Sequence, residues 1–234
     1  MIDTAMVLAA GLGTRFREVS GDLPKPLVPV AGKPLIDWSL DLLSAGGVTR
    51  AVVNVHYKAD KMEAHLAEIT LPEIIVSDER EQLMETGGGL IKASSLLGEE
   101  PVFCTNTDAI LPHENGGPVK KLREAWSDEE MDALLLLVPV AMTSGYDGHG
   151  DFHLDAEGKL SWDGDSEKYV FTGLQIIHPR LWAGEEPAPK STRVFWERAM
   201  ENGRLFGLIH DGRWMHVGDP AGYHAATELL GEGV

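Results

Sequence analysis

The sequence predicts an α/β fold, a mixed and mostly parallel sheet sandwiched by helices. Three observations predict it. Short apolar or β-branched runs alternate with helix-like stretches through the first 140 residues. Two of those runs end in polar or glycine-rich segments, where strands of such sheets present their ligand edge. The chain is 43% apolar over 234 residues, enough to bury a core without disulfide or metal staples.

The elements follow in order. Residues 5–10 form a short apolar run ending at Gly11 and read as a buried strand. Residues 34–45 open with Pro at the first helical position, carry Ile36, Leu40 and Leu43 on one face, and stop at Gly46-Gly47. Residues 51–56 are strand-like, 58–67 an exposed helix, 74–77 a strand and 89–97 a helix. Residues 102–105 form a strand running into Asn106-Thr107-Asp108, and 119–126 a helix. The continuous apolar run 134–140 suits a central strand. Beyond Val140 the character changes. Residues 144–150 are turn-prone, 151–162 alternate as a hairpin, 170–178 read as a strand and 185–190 as a Pro-containing loop. A helix at 194–200, strands at 205–210 and 214–217, and a final helix at 220–230 complete the reading. No repeat, low-complexity segment or linker divides the chain, so residues 1–234 read as a single domain.

Composition narrows the function classes. A net charge of −17 argues against a nucleic-acid surface, which needs a basic face. A phosphate site would have to be locally positive. No apolar run approaches the roughly 18–20 residues that span a bilayer, and no basic segment precedes a long apolar stretch as in a signal peptide. The single cysteine, Cys104, cannot form an internal disulfide, so a reducing cytoplasm is the default expectation.

The segment Leu8-Ala9-Ala10-Gly11-Leu12-Gly13-Thr14-Arg15 carries the strongest chemistry. Glycines let the backbone turn tightly and approach a phosphate, and exposed N–H groups in such a loop form an anion nest. Arg15 offers a planar fork for phosphate oxygens, and Lys25 in Pro24-Lys25-Pro26 a movable point charge. Phe16 stands where the dinucleotide fingerprint would have glycine, and the Gly-Lys-Ser/Thr of the Walker sequence is absent. This is therefore a third kind of phosphate loop. Asp108, at a strand's carboxyl end, offers oxygen ligands to a hard divalent cation; by itself it could equally cap the following turn.

In these residues the chain resembles the sugar-1-phosphate nucleotidyltransferases. The likeness runs from the glycine-rich loop through Ala31-Gly32-Lys33-Pro34-Leu35-Ile36, Glu85-Thr86-Gly87-Gly88-Gly89 and Asn106-Thr107-Asp108. The pattern looks nearest to small bacterial members that uridylylate N-acetylmuramate 1-phosphate in cell-wall recycling; mannose-1-phosphate guanylyltransferases share much of it. The resemblance implies a Rossmann-like nucleotidyltransferase-A fold, Mg2+, a nucleoside triphosphate and a sugar 1-phosphate as substrates, and pyrophosphate as product. It implies a nucleotide-binding half over 1–140 and an acceptor half over 141–234. Arg15, Lys25 and Asp108 become the expected catalytic residues. Leu8, Ala9, Ala10, Gly11, Gly13, Thr14, Arg15, Lys25, Glu85, Thr86 and Gly87 are expected at the nucleotide, and Asn106, Asp151 and Gly173 at the sugar. Many relatives carry Asp, the usual second Mg2+ ligand, where this chain has His216. His216 is expected near the metal, beside Asp108, with Asp219 as a substitute ligand. His149 and His153 read as exposed loop histidines, and Trp162, Trp182, Trp196 and Trp214 as packing residues. Phosphocholine cytidylylation ranks lower, because no clustered aromatic trio suggests a choline cage. A non-catalytic nucleotide-sugar sensor is the reading that His216 keeps open.

Overall fold

The computed structural model describes residues 2–231. Strand β1 (Thr4–Leu8) is followed by a short helix α1 (Arg17–Ser20), the small hairpin of β2 (Pro29–Val30) and β3 (Lys33–Pro34), helix α2 (Leu35–Ala45) and β4 (Arg50–Val55). Helix α3 (Ala59–Leu66), β5 (Glu73–Asp78), helices α4 (Glu85–Lys92) and α5 (Ser94–Leu97), β6 (Val102–Asn106), β7 (Ala109–Ile110), helix α6 (Gly117–Ala125) and β8 (Ala133–Pro139) complete the first half. The second half holds β9 (Thr143–Ser144), β10 (Phe152–Leu154), β11 (Leu160–Ser161), β12 (Lys168–Ile177), α7 (Arg193–Glu201), β13 (Leu205–Ile209), β14 (Trp214–His216) and α8 (Pro220–Gly231).

Strands β5, β4, β1 and β6 run parallel, in that order. β12 pairs antiparallel with β6 and β8, and β13 lies parallel to β8. β12 alone is reversed among these seven strands, so the sheet is mixed and mostly parallel. β10 and β11 continue it along the first residues of β12. β12, from the second half of the chain, thus lies between β6 and β8 of the first, and the two halves interleave.

Period-2 alternation along the strands sorts side chains onto two faces. Ala5, Val7, Val53, Phe103 and Leu136 pack against α2, α3 and α6 through Leu40, Met62 and Val119. Met6, Val52, Cys104 and Leu135 pack on the other face against α4, α5 and α7 through Leu90, Leu97 and Phe195. A third cluster joins Phe16, Val28 and Val30 to Met215, Val217 and Ala226. It fastens a three-stranded sheet, β7-β14-β9, beside the carboxyl ends of β1 and β6. Neither that sheet nor the β2–β3 hairpin follows from the sequence pattern. The strand expected over 214–217 forms as β14, but it joins this small sheet rather than the large one.

The helix expected over 89–97 begins at Glu85 instead and is interrupted at Ala93. Three glycines inside a helix cost about 1 kcal/mol each relative to Ala, and packing explains two of them. A Cβ on Gly88 would stand 2.3 Å from the Ala188 carbonyl oxygen, and one on Gly87 2.7 Å from that of Ser191. The loop before α7 lies directly on the first turn of α4. Gly87 and Gly88 both donate N–H to the Lys190 carbonyl, at 2.8 and 3.0 Å.

Candidate active site

At the carboxyl ends of β1 and β6 lies a cavity of about 330 Å³. One wall is the loop after β1. Gly13 there adopts φ 58°, ψ 31° and starts the turn Thr14–Phe16, a left-handed conformation that glycine enters without steric cost. A Cβ on it would also meet the Lys25 Cβ at 3.0 Å. Phe16 is fully buried and anchors this turn, while Gly11, Thr14 and Arg15 face solvent.

Lys25 comes from the loop between α1 and β2. Its side chain is 13% exposed, its Nζ lies 3.5 Å from Asp108 Oδ2, and the ammonium sits 5.3 Å from the Phe16 ring centroid. Burial pushes its pKa below the ordinary lysine value, and the Asp108 carboxylate opposes that shift. Asp108 lies between β6 and β7. Its carbonyl accepts the Val217 N–H at 2.8 Å, and neighbouring Thr107 donates its hydroxyl to the Leu8 carbonyl at 3.1 Å. These bonds hold the β1 and β6 ends and β14 together around one carboxylate.

The base of α4 forms the far wall through Leu83, Glu85 and Thr86. Glu85 has φ 60°, a conformation that costs a side-chain-bearing residue about 1–2 kcal/mol. The Thr86 hydroxyl accepts the Thr192 N–H at 2.9 Å.

Leu8, Ala9, Ala10, Gly11, Gly13, Thr14, Arg15, Lys25, Glu85, Thr86, Asn106 and Asp108 all line this cavity. Gly87 does not. It lies beneath the wall, against the Ser191 carbonyl, where it lets the loop before α7 approach. Asp151 and Gly173 also lie off the cavity wall. Asp151 Oδ2 accepts the Phe171 N–H at 2.8 Å, and burial raises its pKa above the usual carboxylate range. Gly173, at φ 91°, sits at the register shift of β12, where a Cβ would lie 3.2 Å from that of Asn106. Its place is the joint between β12 and β6.

His216 is not brought to the cavity either. Its ring stacks on Trp214, centroids 5.5 Å apart at 10°, with Tyr146 edge-on at 6.5 Å. Its Nδ1 lies 3.2 Å from the Gly145 carbonyl oxygen. The ring backs onto Gly218 so closely that a Cβ there would stand 2.2 Å from Cε1. Gly218, and not His216, lines the cavity. Asp219 Oδ1 accepts the Gly222 N–H at 2.9 Å and so caps the first turn of α8. His153 corrects another expectation. It is buried, with Nδ1 3.2 Å from Ser166 Oγ, whereas His149 is exposed.

Among the described residues no three His, Cys, Asp or Glu side chains converge as a metal cage. A half-exposed single carboxylate suits a cation that keeps water and phosphate oxygens as its other ligands, which is the habit of Mg2+. It does not suit a four-ligand structural zinc.

Two polar residues of the site do not stand out in the sequence. Asn54 lines the cavity, and Glu79 lies behind it at 0% exposure. Asn54 Oδ1 accepts the N–H groups of Ala9 and Ala10 at 2.7 and 3.3 Å, and its Nδ2 donates to Glu79 Oε1 at 2.8 Å. The signal was present, since Asn54 is a polar residue inside the otherwise apolar run 51–55.

Residues 4–150 match the family described as nucleotidyl transferase. The chain is 45% identical to the N-acetylmuramate alpha-1-phosphate uridylyltransferase of Caulobacter vibrioides, with 97% of each chain covered. It is 31% identical to the enzyme of the same name from Neisseria meningitidis serogroup B, covering 97% of this chain and 98% of that one. In fold it is similar to UDP-glucose pyrophosphorylase complexed with UDP-glucose, with TM-score 0.78, 18% identity and full coverage of both chains.

Proposed function

The chain belongs to the nucleotidyl transferase family and is an enzyme of the sugar-1-phosphate nucleotidyltransferase type, and within that class we propose that it transfers uridylate from UTP to N-acetylmuramate 1-phosphate with release of pyrophosphate. The choice of substrates rests on the Caulobacter relative, similar over nearly the whole length of both chains. The observation that supports the chemistry is the cavity that gathers an open glycine loop, Arg15, Lys25 and Asp108.

In this reading an oxygen of the sugar phosphate attacks the α-phosphorus of UTP, and the bond from that phosphorus to the β-phosphate bridging oxygen breaks. A phosphate monoester is already anionic at neutral pH, so no general base is needed, and catalysis is positioning and charge neutralisation. Lys25 neutralises charge at the α-phosphate. Exposed Arg15 holds the departing pyrophosphate. Asp108 would hold Mg2+, which when bound supplies further charge neutralisation at the phosphates. Asn106 would donate to a sugar hydroxyl. Consuming N-acetylmuramate 1-phosphate would serve reuse of a cell-wall sugar in the cytoplasm. No helix among the described residues is long and apolar enough to cross a membrane.

The test is a matrix of UTP, GTP, CTP and dTTP against N-acetylmuramate, glucose and mannose 1-phosphates and phosphocholine, read by pyrophosphate release. UTP with N-acetylmuramate 1-phosphate is expected to give the highest kcat/KM. A higher value for GTP with mannose 1-phosphate would overturn the substrate assignment.

A further inference from the structure

The buried pair Asn54 and Glu79 joins the two walls of the cavity. Asn54 is 2% exposed and Glu79 0%. The amide oxygen of Asn54 accepts from Ala9 and Ala10 on one wall. That fixes the amide's orientation and turns Nδ2 toward Glu79 Oε1, 2.8 Å away. Glu79 Oε2 then accepts the Met84 N–H at 3.1 Å, where the other wall begins. A buried carboxylate is expensive unless its oxygens are hydrogen-bonded, and here each oxygen meets one donor. The carboxylate also faces the amino end of α4, where negative charge is favoured. The chain of bonds is directional: backbone donors, amide oxygen, amide N–H, carboxylate, backbone donor. Every link is a specific donor meeting a specific acceptor, so neither residue can be replaced alone by its isostere without leaving a mismatch.

We infer that Asn54 and Glu79 are positioning residues for the nucleoside triphosphate, a latch that sets the separation between the glycine loop and the base of α4. Because the N–H groups of Ala9 and Ala10 are consumed by Asn54, anion contacts fall to the loop beyond them, from Gly11 onward. The inference rests on the reading of this cavity as the triphosphate site. It places the effect of the latch in the KM for the triphosphate and not in the KM for the sugar phosphate.

An exchange of the two functional groups tests it. In Asn54→Asp two carboxylates face each other across the 2.8 Å contact. In Glu79→Gln one amide N–H is forced against another donor. Each single variant is expected to raise the KM for UTP about tenfold, with the acceptor KM within twofold. The double variant N54D/E79Q restores a complete set. The carboxylate introduced at position 54 still accepts from Ala9 and Ala10. Its second oxygen accepts from the amide introduced at position 79, and that amide's oxygen accepts from Met84, at unchanged net charge. The KM of the double variant for UTP is expected within about threefold of the parent. A double variant no better than the worse single one, or one that fails to fold, overturns the latch.

Gly89→Ala tests the same pair in a variant that should fold whatever the singles do. Its Cβ would press at 3.1 Å on both Asn54 Nδ2 and Glu79 Oε1, while Ala in a helix is otherwise favoured over Gly. A severalfold rise in the UTP KM is expected, and an unchanged value overturns the inference. Titration calorimetry with UTP runs in parallel. A parent chain that binds UTP without turning over N-acetylmuramate 1-phosphate counts against the proposed acceptor, and the latch is then read from the UTP Kd of the same variants, with the same shifts expected.

Discussion

The burial that holds the Lys25 ammonium beside Asp108 also decides when it loses its proton. Desolvation lowers its pKa from 10.5; Asp108 raises it, and Arg15 lowers it again. In the proposed mechanism the ammonium is the working form. The rate should therefore be flat near neutrality and fall as pH rises through the lowered pKa, below the ordinary lysine range. Lys25→Arg keeps a charge that does not titrate there, so its kcat, though reduced, should lack the alkaline limb. Lys25→Ala should lose activity on the order of a hundredfold or more. Profiles of kcat from about pH 7 to 10 at saturating substrate check this, and an identical limb in the Arg variant would assign the titration to another group. Lys25 was legible in the sequence because Pro24-Lys25-Pro26 is a short local motif. His216 was legible only as a type of residue. Its stacking partner Trp214 is near in sequence, but Tyr146 and the acceptor Gly145 come from a distant loop, and no spacing rule connects them.

At the scale of elements, alternation and turn residues located most strands and helices to within a few positions, since both signals are local. Strand pairing is not local. Nothing in residues 168–177 says that this strand enters reversed between β6 and β8, or that Trp214–His216 leaves the large sheet. Helix α4 shows the same limit from the other side. Gly87 reads as a nucleotide contact and Gly89 as the start of the helix, whereas Gly87 and Gly88 make room for the loop before α7. Gly88→Ala decides between these roles. Helix propensity favours Ala by about 1 kcal/mol. Against it stands a backbone oxygen at 2.3 Å, in a loop held by Gly87 and Gly88 through the Lys190 carbonyl. Overpacking of this kind costs about 1–3 kcal/mol, so Gly88→Ala should lower Tm by several degrees. A raised Tm would mean that the loop yields freely.

For the whole molecule, charge and burial pull stability in opposite directions as pH falls. At a net charge of −17, acidification relieves self-repulsion and should stabilise the fold. Buried histidines act against it. His210, at the end of β13, is 6% exposed, and neither ring nitrogen has a hydrogen-bond partner among the described residues. Burial lowers its pKa below 6.5; nearby Asp211 raises it, Lys121 lowers it, and the approach of the Arg213 backbone, outside hydrogen-bond geometry, raises it slightly. The ring is thus neutral in the fold at pH values where the unfolded chain already binds a proton. Stability from this residue is intact above pH 6.5 and is lost as pH falls from there toward the lowered folded pKa, below which the loss levels off. His113 and His178 shift the same way, with burial the first cause in each, so the wild-type curve sums several groups and the general charge effect. His210→Gln isolates one of them. The difference in Tm, wild type minus variant, should be smaller at about pH 5 than at about pH 7.5. In a domain of this size each 1 kcal/mol appears as about 2–4 °C, within reach of calorimetry or circular dichroism. A difference that stays constant across that range would mean that His210 takes no part in the acid response, and that the loop carrying Asp211 lets water reach the ring.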